Sequence, residues 1–239
     1  MALTDSLLAY YKLDSAGITT DSHSSNTLTN TNSTPTTTGV LNEAADFNGA
    51  TSNRSLNATL AGLNSATAAS YSYWFKRSST THTVAVGTRA SDASCFAPIV
   101  WTDGNVYIDM SSSYGQFTHG VGTGSWGHVV VSFDGTQTGN ANRLKCYLNG
   151  SAVSMSYTGT IPANLPTNAS QGAFYIGLQK STRQSTGQID EVGVWSRALT
   201  GSEATQLYNS GTPLAYSSFG SAGSASLLLA NAAYFGRQL

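Results

Sequence analysis

The fold is decided by the stretch Gly187-Gln188-Ile189-Asp190-Glu191-Val192-Gly193-Val194-Trp195-Ser196-Arg197-Ala198-Leu199, followed at once by Thr200-Gly201-Ser202-Glu203-Ala204-Thr205-Gln206-Leu207-Tyr208-Asn209-Ser210-Gly211. The first part has the length and the β-branched, apolar composition of a strand. In the second part, Thr200 and Glu203 are spaced as the capping box of a short helix. Leu207 and Tyr208 would form its apolar face, and Gly211 is placed to end it. We therefore predict a closing strand, a one-turn corner and a short amphipathic helix.

The composition is that of a single globular domain with few charges. The chain has 239 residues, 40% apolar and 10% charged, with a formal net charge of -1. All-β sandwiches of this length are often one domain. The low charge argues against nucleic acid or an anionic membrane as a partner, because such binding needs a clustered positive surface. The longest apolar patch, Leu227 to Ala233, is far shorter than the roughly 20 residues of a membrane span.

The N-terminus and the two cysteines bear on where the protein is made. Met1 to Ser6 contain neither a basic region nor a long apolar region, so we expect no secretory signal. Cys95 and Cys146 are far apart in the sequence and lie in strand-like contexts. In a chain made in a reducing cytosol we expect two free, buried thiols rather than a disulfide.

Segments of strand length recur along the chain and are separated by turn dipeptides. The predicted strands are Leu7–Asp14, Ala44–Phe47, Tyr71–Arg77, a hairpin within Phe96–Met110, Trp126–Phe133, Leu144–Leu148, Phe174–Gly177 and the closing strand. The turn dipeptides are Asn48-Gly49, Asp103-Gly104, Asp134-Gly135 and Asn149-Gly150. This pattern predicts an all-β, antiparallel sandwich.

The order and spacing of these segments resemble the laminin-G-like (concanavalin A-like) lectin/glucanase domains over roughly residues 7–211. The resemblance is carried by Leu8–Asp14, Asp46–Gly49, Trp126–Gly135, Leu144–Gly150 and the closing unit. It implies a two-sheet jelly roll whose members mostly bind glycans or proteins, some of them holding calcium. We assign residues 1–211 to the sandwich and residues 212–239 to a linker and an apolar tail.

Catalysis is not expected. Glucanases of this shape carry alternating carboxylates on one strand, but here Gln188 stands where a first acid would be needed. Asp190 and Glu191 are adjacent, and on a regular strand they would face opposite sides of the sheet. No metal-binding or triad spacing is found among the histidines, which are His23, His82, His119 and His128. We therefore predict a protein that is not an enzyme.

The resemblance also raises the question of a structural calcium ion. Asp21, in the long polar loop Gly17–Gly39, and Asp190 match the acidic positions at which the family holds that ion. Ser22-His23-Ser24-Ser25-Asn26 replaces the usual glycine-rich loop, however. Two interpretations stay open: a calcium site, or carboxylates that accept hydrogen bonds from loop amides.

Three aromatic residues are candidates for stacking on a sugar. If Tyr71, Tyr73 and Phe75 point into the core, Trp74 lies on the opposite face of its strand, and Tyr107 and Tyr147 are placed likewise on theirs. Sugar stacking requires such rings near amides and hydroxyls. Alternatively, these rings cover the sheet or pack under a loop. Trp126 is predicted to be a core residue.

An apolar tail after the Gly/Ser-rich linker is expected to dock either on its own domain or on a neighbouring subunit, and we favour the neighbouring subunit. Its large residues are Leu227, Leu228, Leu229, Tyr234 and Phe235. Together with the expected lack of an export signal, this tail leads to the hypothesis of a structural protein on a large assembly, namely a capsid decoration or a tail or fibre component of a phage virion made in the host cytoplasm. Its partners would be copies of itself or other virion proteins, and a cell-surface glycan would be a further partner. The alternative is an extracellular carbohydrate-binding module.

Overall fold

The computed structural model of the protein describes residues 1–47, 54–81, 83–177 and 185–220. The described strands are β1 (Leu7–Tyr11), β2 (Thr29–Thr31), β3 (Thr36–Thr38), β4 (Glu43–Asp46), β5 (Ser55–Ala58), β6 (Ala68–Lys76), β7 (Val84–Ser91), β8 (Ser94–Val100), β9 (Asn105–Met110), β10 (Ser113–Thr118), β11 (Trp126–Asp134), β12 (Leu144–Leu148), β13 (Ser151–Ala152), β14 (Ser156–Thr158), β15 (Phe174–Ile176) and β16 (Gln188–Trp195). The described helices are α1 (Asn140–Arg143), α2 (Asn168–Gln171) and α3 (Gly201–Tyr208). Within these ranges, no helix is long and apolar enough to cross a membrane.

The strands form two antiparallel sheets of eight strands each, which confirms the predicted jelly-roll sandwich. In the first sheet the order is β13-β12-β11-β6-β16-β4-β3, and β1 also pairs with β16. In the second sheet the order is β14-β10-β9-β8-β7-β15-β5-β2. The closing strand β16 is therefore central to the first sheet, bonded to β6 on one side and to β1 and β4 on the other.

The main core lies between the two sheets and is built by alternation along the strands. On β6, Tyr71, Tyr73 and Phe75 point into it, as predicted, and all three are buried. On β9 the buried residues alternate with half-buried ones, the pattern of a strand with one face in the core and one in solvent. Cys146 lies in this core and Cys95 is also buried; both are free thiols, as predicted.

A second apolar cluster covers the outer face of the first sheet. It consists of Leu3, Leu7, Tyr10, Val130, Tyr147, Trp195, Leu199, Ala204, Leu207 and Phe219. Phe219 is fully buried and packs against the Tyr10 ring at 4.9 Å between centroids. Leu214 and Tyr216, in the segment that the sequence assigned to the linker and tail, pack against the same cluster. The division of the chain at Gly211 stays a prediction. Residues 221–239 of that segment, including Leu227, Leu228, Leu229, Tyr234 and Phe235, lie outside the described residues.

Helix α3 begins with the predicted capping box. The Thr200 hydroxyl accepts a hydrogen bond from the Glu203 backbone N–H, and the Glu203 carboxylate accepts one from the Thr200 N–H. The helix ends at Tyr208 because Asn209 adopts the left-handed conformation, with φ of 46°. The predicted stop at Gly211 is therefore wrong by two positions: asparagine also tolerates this conformation and ends the helix first.

The two tryptophans of neighbouring strands differ from the prediction in opposite ways. Trp126 is only half-buried on the outer face of the first sheet, where the Lys76 ammonium lies 4.9 Å from its ring centroid. It is not a core residue, because the inward positions of β11 are Val129, Val131 and Phe133. Trp74 is on the outer face as predicted, but it is 3% exposed because Tyr208 of α3 stacks on it.

Candidate functional site

An open cleft lies on the outer face of the second sheet. Its volume is about 420 Å³. It is lined by Arg89, Asp92, Ile99, Trp101, Asp103, Tyr107, Asp109, Ser112, Ser113 and Tyr114. Aromatic rings and carboxylates therefore meet in one depression.

Four consecutive strands, β7 to β10, and the turns between them position these side chains. The hairpin of β8 and β9 turns at residues 101–104, around the predicted dipeptide Asp103-Gly104. Gly104 has a φ of 83°, a backbone conformation that would be strained in a residue with a side chain. On β9, Tyr107 and Asp109 point outward because Val106, Ile108 and Met110 fill the core. Tyr114 of β10 is opposite Asp109, and its ring meets the Tyr107 ring edge to face at 5.6 Å.

Arg89 holds the floor of the cleft through two carboxylates. Both terminal nitrogens of its guanidinium donate to Asp109 Oδ2 at 2.7 Å, and one of them also donates to Asp92 Oδ1 at 2.7 Å. The Arg89 side chain is 1% exposed. A guanidinium this deeply buried is stable only because it is paired, and the pairing fixes both carboxylates at the rim.

Asp103 organises the mouth of the cleft. It accepts hydrogen bonds from the Tyr107 hydroxyl at 2.7 Å, from the Asn105 backbone at 2.9 Å and from the Asn105 side chain at 3.0 Å. Desolvation tends to raise the pKa of Asp103, but these hydrogen bonds outweigh it and hold the pKa below its ordinary value. Asp103 is therefore ionised at neutral pH.

Of the three aromatic residues predicted to contact a sugar, the structure places one in the cleft. Tyr107 lines it. Trp74 and Tyr147 are on the other sheet, buried beneath α3, so their rings cover the sheet as in the alternative interpretation. Trp101 and Tyr114 line the cleft but were missed. Trp101 belongs to a turn, where alternation gives no face, and Tyr114 could be placed only with the hairpin register known.

A bulge in β16 changes the expected arrangement of Asp190 and Glu191. The register against β6 shifts between Asp190 and Gly193, and Glu191 has a left-handed φ of 49°. Ile189 and Val192 both point into the core, so the two carboxylates between them share the outer side of the sheet. The expectation that they face opposite sides is wrong, because a bulge breaks the alternation.

The two carboxylates are buried away from the cleft. Glu191 is bonded to the Tyr10 hydroxyl, under the cluster that contains Phe219. Burial, reinforced by the charge of Glu191, raises the pKa of Asp190 to about 8. Burial likewise raises the pKa of Glu191 to about 7, although the Tyr10 hydrogen bond opposes it. Raised carboxyl pKa values can mark a catalytic site, but a substrate has no access to this pair, since both are at most 3% exposed.

The surroundings of Asp21 and Asp190 fit hydrogen bonding rather than a calcium ion. Asp21 accepts from the backbone N–H groups of Tyr10, His23 and Asn26, and so fixes the long loop to β1. Asp190 accepts from the N–H groups of residues 40, 41 and 191. Calcium requires six to eight oxygen ligands. Within the described part of the chain, no cluster of three acidic, histidine or cysteine side chains could hold a metal.

We therefore predict that a chelator does not change the thermal stability. Addition of excess EDTA should leave the melting temperature unchanged. Asp21→Ala should lower it, because one backbone N–H of β1 and two of the loop then lose their acceptor. Differential scanning calorimetry measures both. A fall in melting temperature with EDTA that calcium reverses would restore the calcium interpretation.

The described histidines are structural. His128 is buried under Tyr208, and its Nε2 is 2.8 Å from the Ser72 hydroxyl. Burial lowers the pKa of His128 to about 3, so its ring is neutral. His119 is bonded to Arg77, and burial together with that charge lowers its pKa to about 4. His23 is 2.9 Å from the Tyr216 hydroxyl, and His82 lies outside the described residues.

Comparison with known sequences identifies the family. The model of the laminin G-type family described as the concanavalin A-like lectin/glucanases superfamily matches residues 48–205, more than half of the chain. The chain belongs to the concanavalin A-like lectin/glucanases superfamily. This confirms the resemblance seen in the sequence. A search of the curated proteins gave no match.

Solved structures share the superfamily fold. Domain 4 of AbnA, a GH43 extracellular arabinanase from Geobacillus stearothermophilus, in complex with arabinotriose, aligns with a TM-score of 0.63 and 24% identity over 84% of this chain and 98% of that one. The botulinum neurotoxin serotype D ligand binding domain in complex with N-acetylneuraminic acid aligns with a TM-score of 0.63 and 13% identity, over 87% of this chain and 52% of that one. The chain thus spans about half the length of the neurotoxin domain. At these identities the likeness establishes the fold.

Proposed function

We propose that the protein is a non-enzymatic glycan-binding module whose binding site is the cleft on the second sheet. The observation that carries the proposal is the convergence of three aromatic side chains, Trp101, Tyr107 and Tyr114, with the carboxylates of Asp103 and Asp109 in that cleft. The structural neighbours in complex with arabinotriose and with N-acetylneuraminic acid support it, since both bind sugars on the same fold.

The chemistry of the cleft suits a sugar. The apolar face of a pyranose or furanose ring packs on an aromatic ring, while its hydroxyl groups need acceptors and donors at the edges. The Tyr107 and Tyr114 rings meet at 5.6 Å, and Asp103 is held ionised beside them as an acceptor. The hydrogen bonds of Asp103 and the ion pairs of Asp109 fix these groups before any ligand binds, which limits the entropy cost of binding.

The same charges argue against glycoside hydrolysis. A glycosidase needs one carboxyl group protonated near neutral pH to act as general acid. In the cleft, the pKa of Asp103 is lowered, and Asp109 is paired with the Arg89 guanidinium. The two carboxyl groups with raised pKa values, Asp190 and Glu191, are buried on the other sheet.

We predict that Tyr107→Ala weakens glycan binding about tenfold or more, because it removes one stacking ring and one hydroxyl. A glycan array would identify a ligand for the wild-type protein, and isothermal titration would give the dissociation constants. Tyr175→Ala is the matched control. Tyr175 lies on the same sheet and faces outward between the buried Phe174 and Ile176, but it does not line the cleft.

The glycan affinities of the two variants show whether the ligand binds in the cleft. Loss of affinity in Tyr107→Ala but not in Tyr175→Ala supports the cleft as the binding site. Equal affinities of the wild type and Tyr107→Ala would place the ligand elsewhere. A protein that binds no glycan on the array would contradict the proposed function.

A structural role in a phage virion stays a hypothesis. Its main support is the apolar segment Leu227 to Phe235, which lies outside the described residues, and the described surface adds nothing to it. Incorporation into purified particles would test it independently of sugar binding.

A further inference from the structure

If the cleft holds a glycan as proposed above, its charges decide which glycans can enter. We infer that the cleft selects neutral or amine-bearing sugars and excludes sugars that carry a carboxylate or sulfate group. This inference concerns the ligand class, and the following contacts carry it.

The lining is acidic. Asp92, Asp103 and Asp109 contribute three carboxylates, and Arg89 is the one basic side chain among the described residues that line the cleft. Asp103 is exposed at the mouth, where a ligand arrives first. The balance of lining charges is therefore negative, although the whole chain is close to neutral.

The single lining guanidinium is not available to an anion. Arg89 is almost completely buried, and its two terminal nitrogens donate to Asp109 and Asp92 at 2.7 Å. An acidic sugar would have to break these charge-assisted hydrogen bonds to reach it. Arg77, which lies close enough to Asp103 to interact with its charge, is itself buried and donates to the Trp101 carbonyl oxygen at 2.8 Å.

A carboxylate or sulfate on the ligand would therefore face Asp103 and Asp109 without a cation to offset the repulsion. Like charges placed together in an interface repel each other and weaken binding. A ligand ammonium group would gain from the same field, and a neutral hydroxyl would find an acceptor that is already ionised. The expected order of affinity is amine-bearing, then neutral, then acidic sugars.

A glycan array that carries all three classes tests this order. Suitable probes are arabinotriose and related neutral oligosaccharides, glucosamine oligomers, and oligosaccharides capped with N-acetylneuraminic acid, sulfate or uronic acid. We expect ligands among the first two classes and an affinity for acidic probes that is lower by about tenfold or more. Tight binding of acidic probes would overturn the inference and leave the proposed function intact. No binding by any class would overturn both.

A charge-removing variant gives a second measurement. Asp103→Asn keeps the size of the side chain at an exposed position, so folding is retained. It should reduce the ratio of the affinities for neutral and acidic probes by about threefold, since one of the three lining carboxylates is gone and those of Asp92 and Asp109 remain. Asp134→Asn, at the last residue of β11 and outside the cleft, is the matched control and should leave this affinity ratio unchanged. An unchanged ratio in Asp103→Asn would show that the lining charges do not set the selectivity.

Discussion

Trp74→Ala should lower the free energy of unfolding by about 3 to 5 kcal/mol, whereas Trp126→Ala should lower it by about 1 kcal/mol or less. Trp74 is sandwiched between the first sheet and α3, with the His128 ring at 4.9 Å and the Tyr208 ring at 5.6 Å. Its removal leaves a cavity that this rigid sheet cannot close. The Trp126→Ala variant loses mainly the contact between the indole ring and the Lys76 ammonium group.

Urea unfolding of the two variants, followed by tyrosine and residual tryptophan fluorescence, gives this comparison directly. Trp74→Phe serves as a milder substitution that keeps an aromatic ring under Tyr208, and it should recover part of the loss. Similar losses for Trp74→Ala and Trp126→Ala would mean that α3 does not cover the sheet as described.

The free energy of unfolding should be nearly constant, at its highest value, between about pH 5 and pH 6 and should fall by about 2 kcal/mol between pH 6.5 and pH 8. Asp190 and Glu191 have pKa values raised to about 8 and about 7 by burial, so the folded state holds protons that the unfolded state has released. The stability that these protons confer is fully present below the ordinary carboxyl pKa. It is lost as the pH rises through 7 and 8.

At lower pH, two histidines change the free energy of unfolding in the direction opposite to the two carboxyl groups. The pKa values of His119 and His128 are lowered to about 4 and about 3, chiefly by burial. Below about pH 6.5 the unfolded chain binds protons at these rings while the folded protein does not. Proton binding by these histidines therefore favours the unfolded state as the pH falls. Between about pH 5 and pH 6 it offsets the stability that the protonated Asp190 and Glu191 add. Above pH 6.5 the histidines bind few protons in either state, so the loss of the two carboxyl protons can be measured.

Glu191→Gln isolates the carboxyl contribution. It removes one titrating group and the charge that helps to raise the pKa of Asp190, so it should reduce the loss between pH 6.5 and pH 8 to about half or less. Glu43→Gln is the control. Hydrogen bonds from Ser15 lower the pKa of Glu43, which is therefore ionised throughout this range. A fall of equal size in wild type and Glu191→Gln would refute the assignment.

Local sequence signals were sufficient for the fold but not for burial. The capping box depends on residues three apart, and strand alternation depends on nearest neighbours, so Thr200, Glu203 and the inward face of β6 could be predicted. The burial of Trp74 depends on Tyr208, which is remote in sequence and becomes a neighbour only when α3 packs on the sheet.

The candidate site was harder to predict because its residues come together only through the register of paired strands, and because a bulge interrupts the alternation of β16. Tyr107 could be placed on an outer face from alternation alone. Trp101, in a turn, and Tyr114, on the next strand, come together with it only through the β8–β9–β10 pairing. The bulge at Glu191 has no recognisable local signal, since a non-glycine residue there adopts a left-handed conformation that its neighbours impose.

The burial of Phe219 determines how the domain can be oriented on a support. Leu3 and Phe219 anchor both ends of the described chain to the outer face of the first sheet, and the cleft opens on the second sheet, at the opposite side of the sandwich. A domain tethered through either end would therefore stand with its cleft facing away from the attachment point. Many copies on one surface would present their clefts in parallel. If the cleft binds sugars as proposed, weak binding to single sugars would then add up to strong attachment to a polysaccharide.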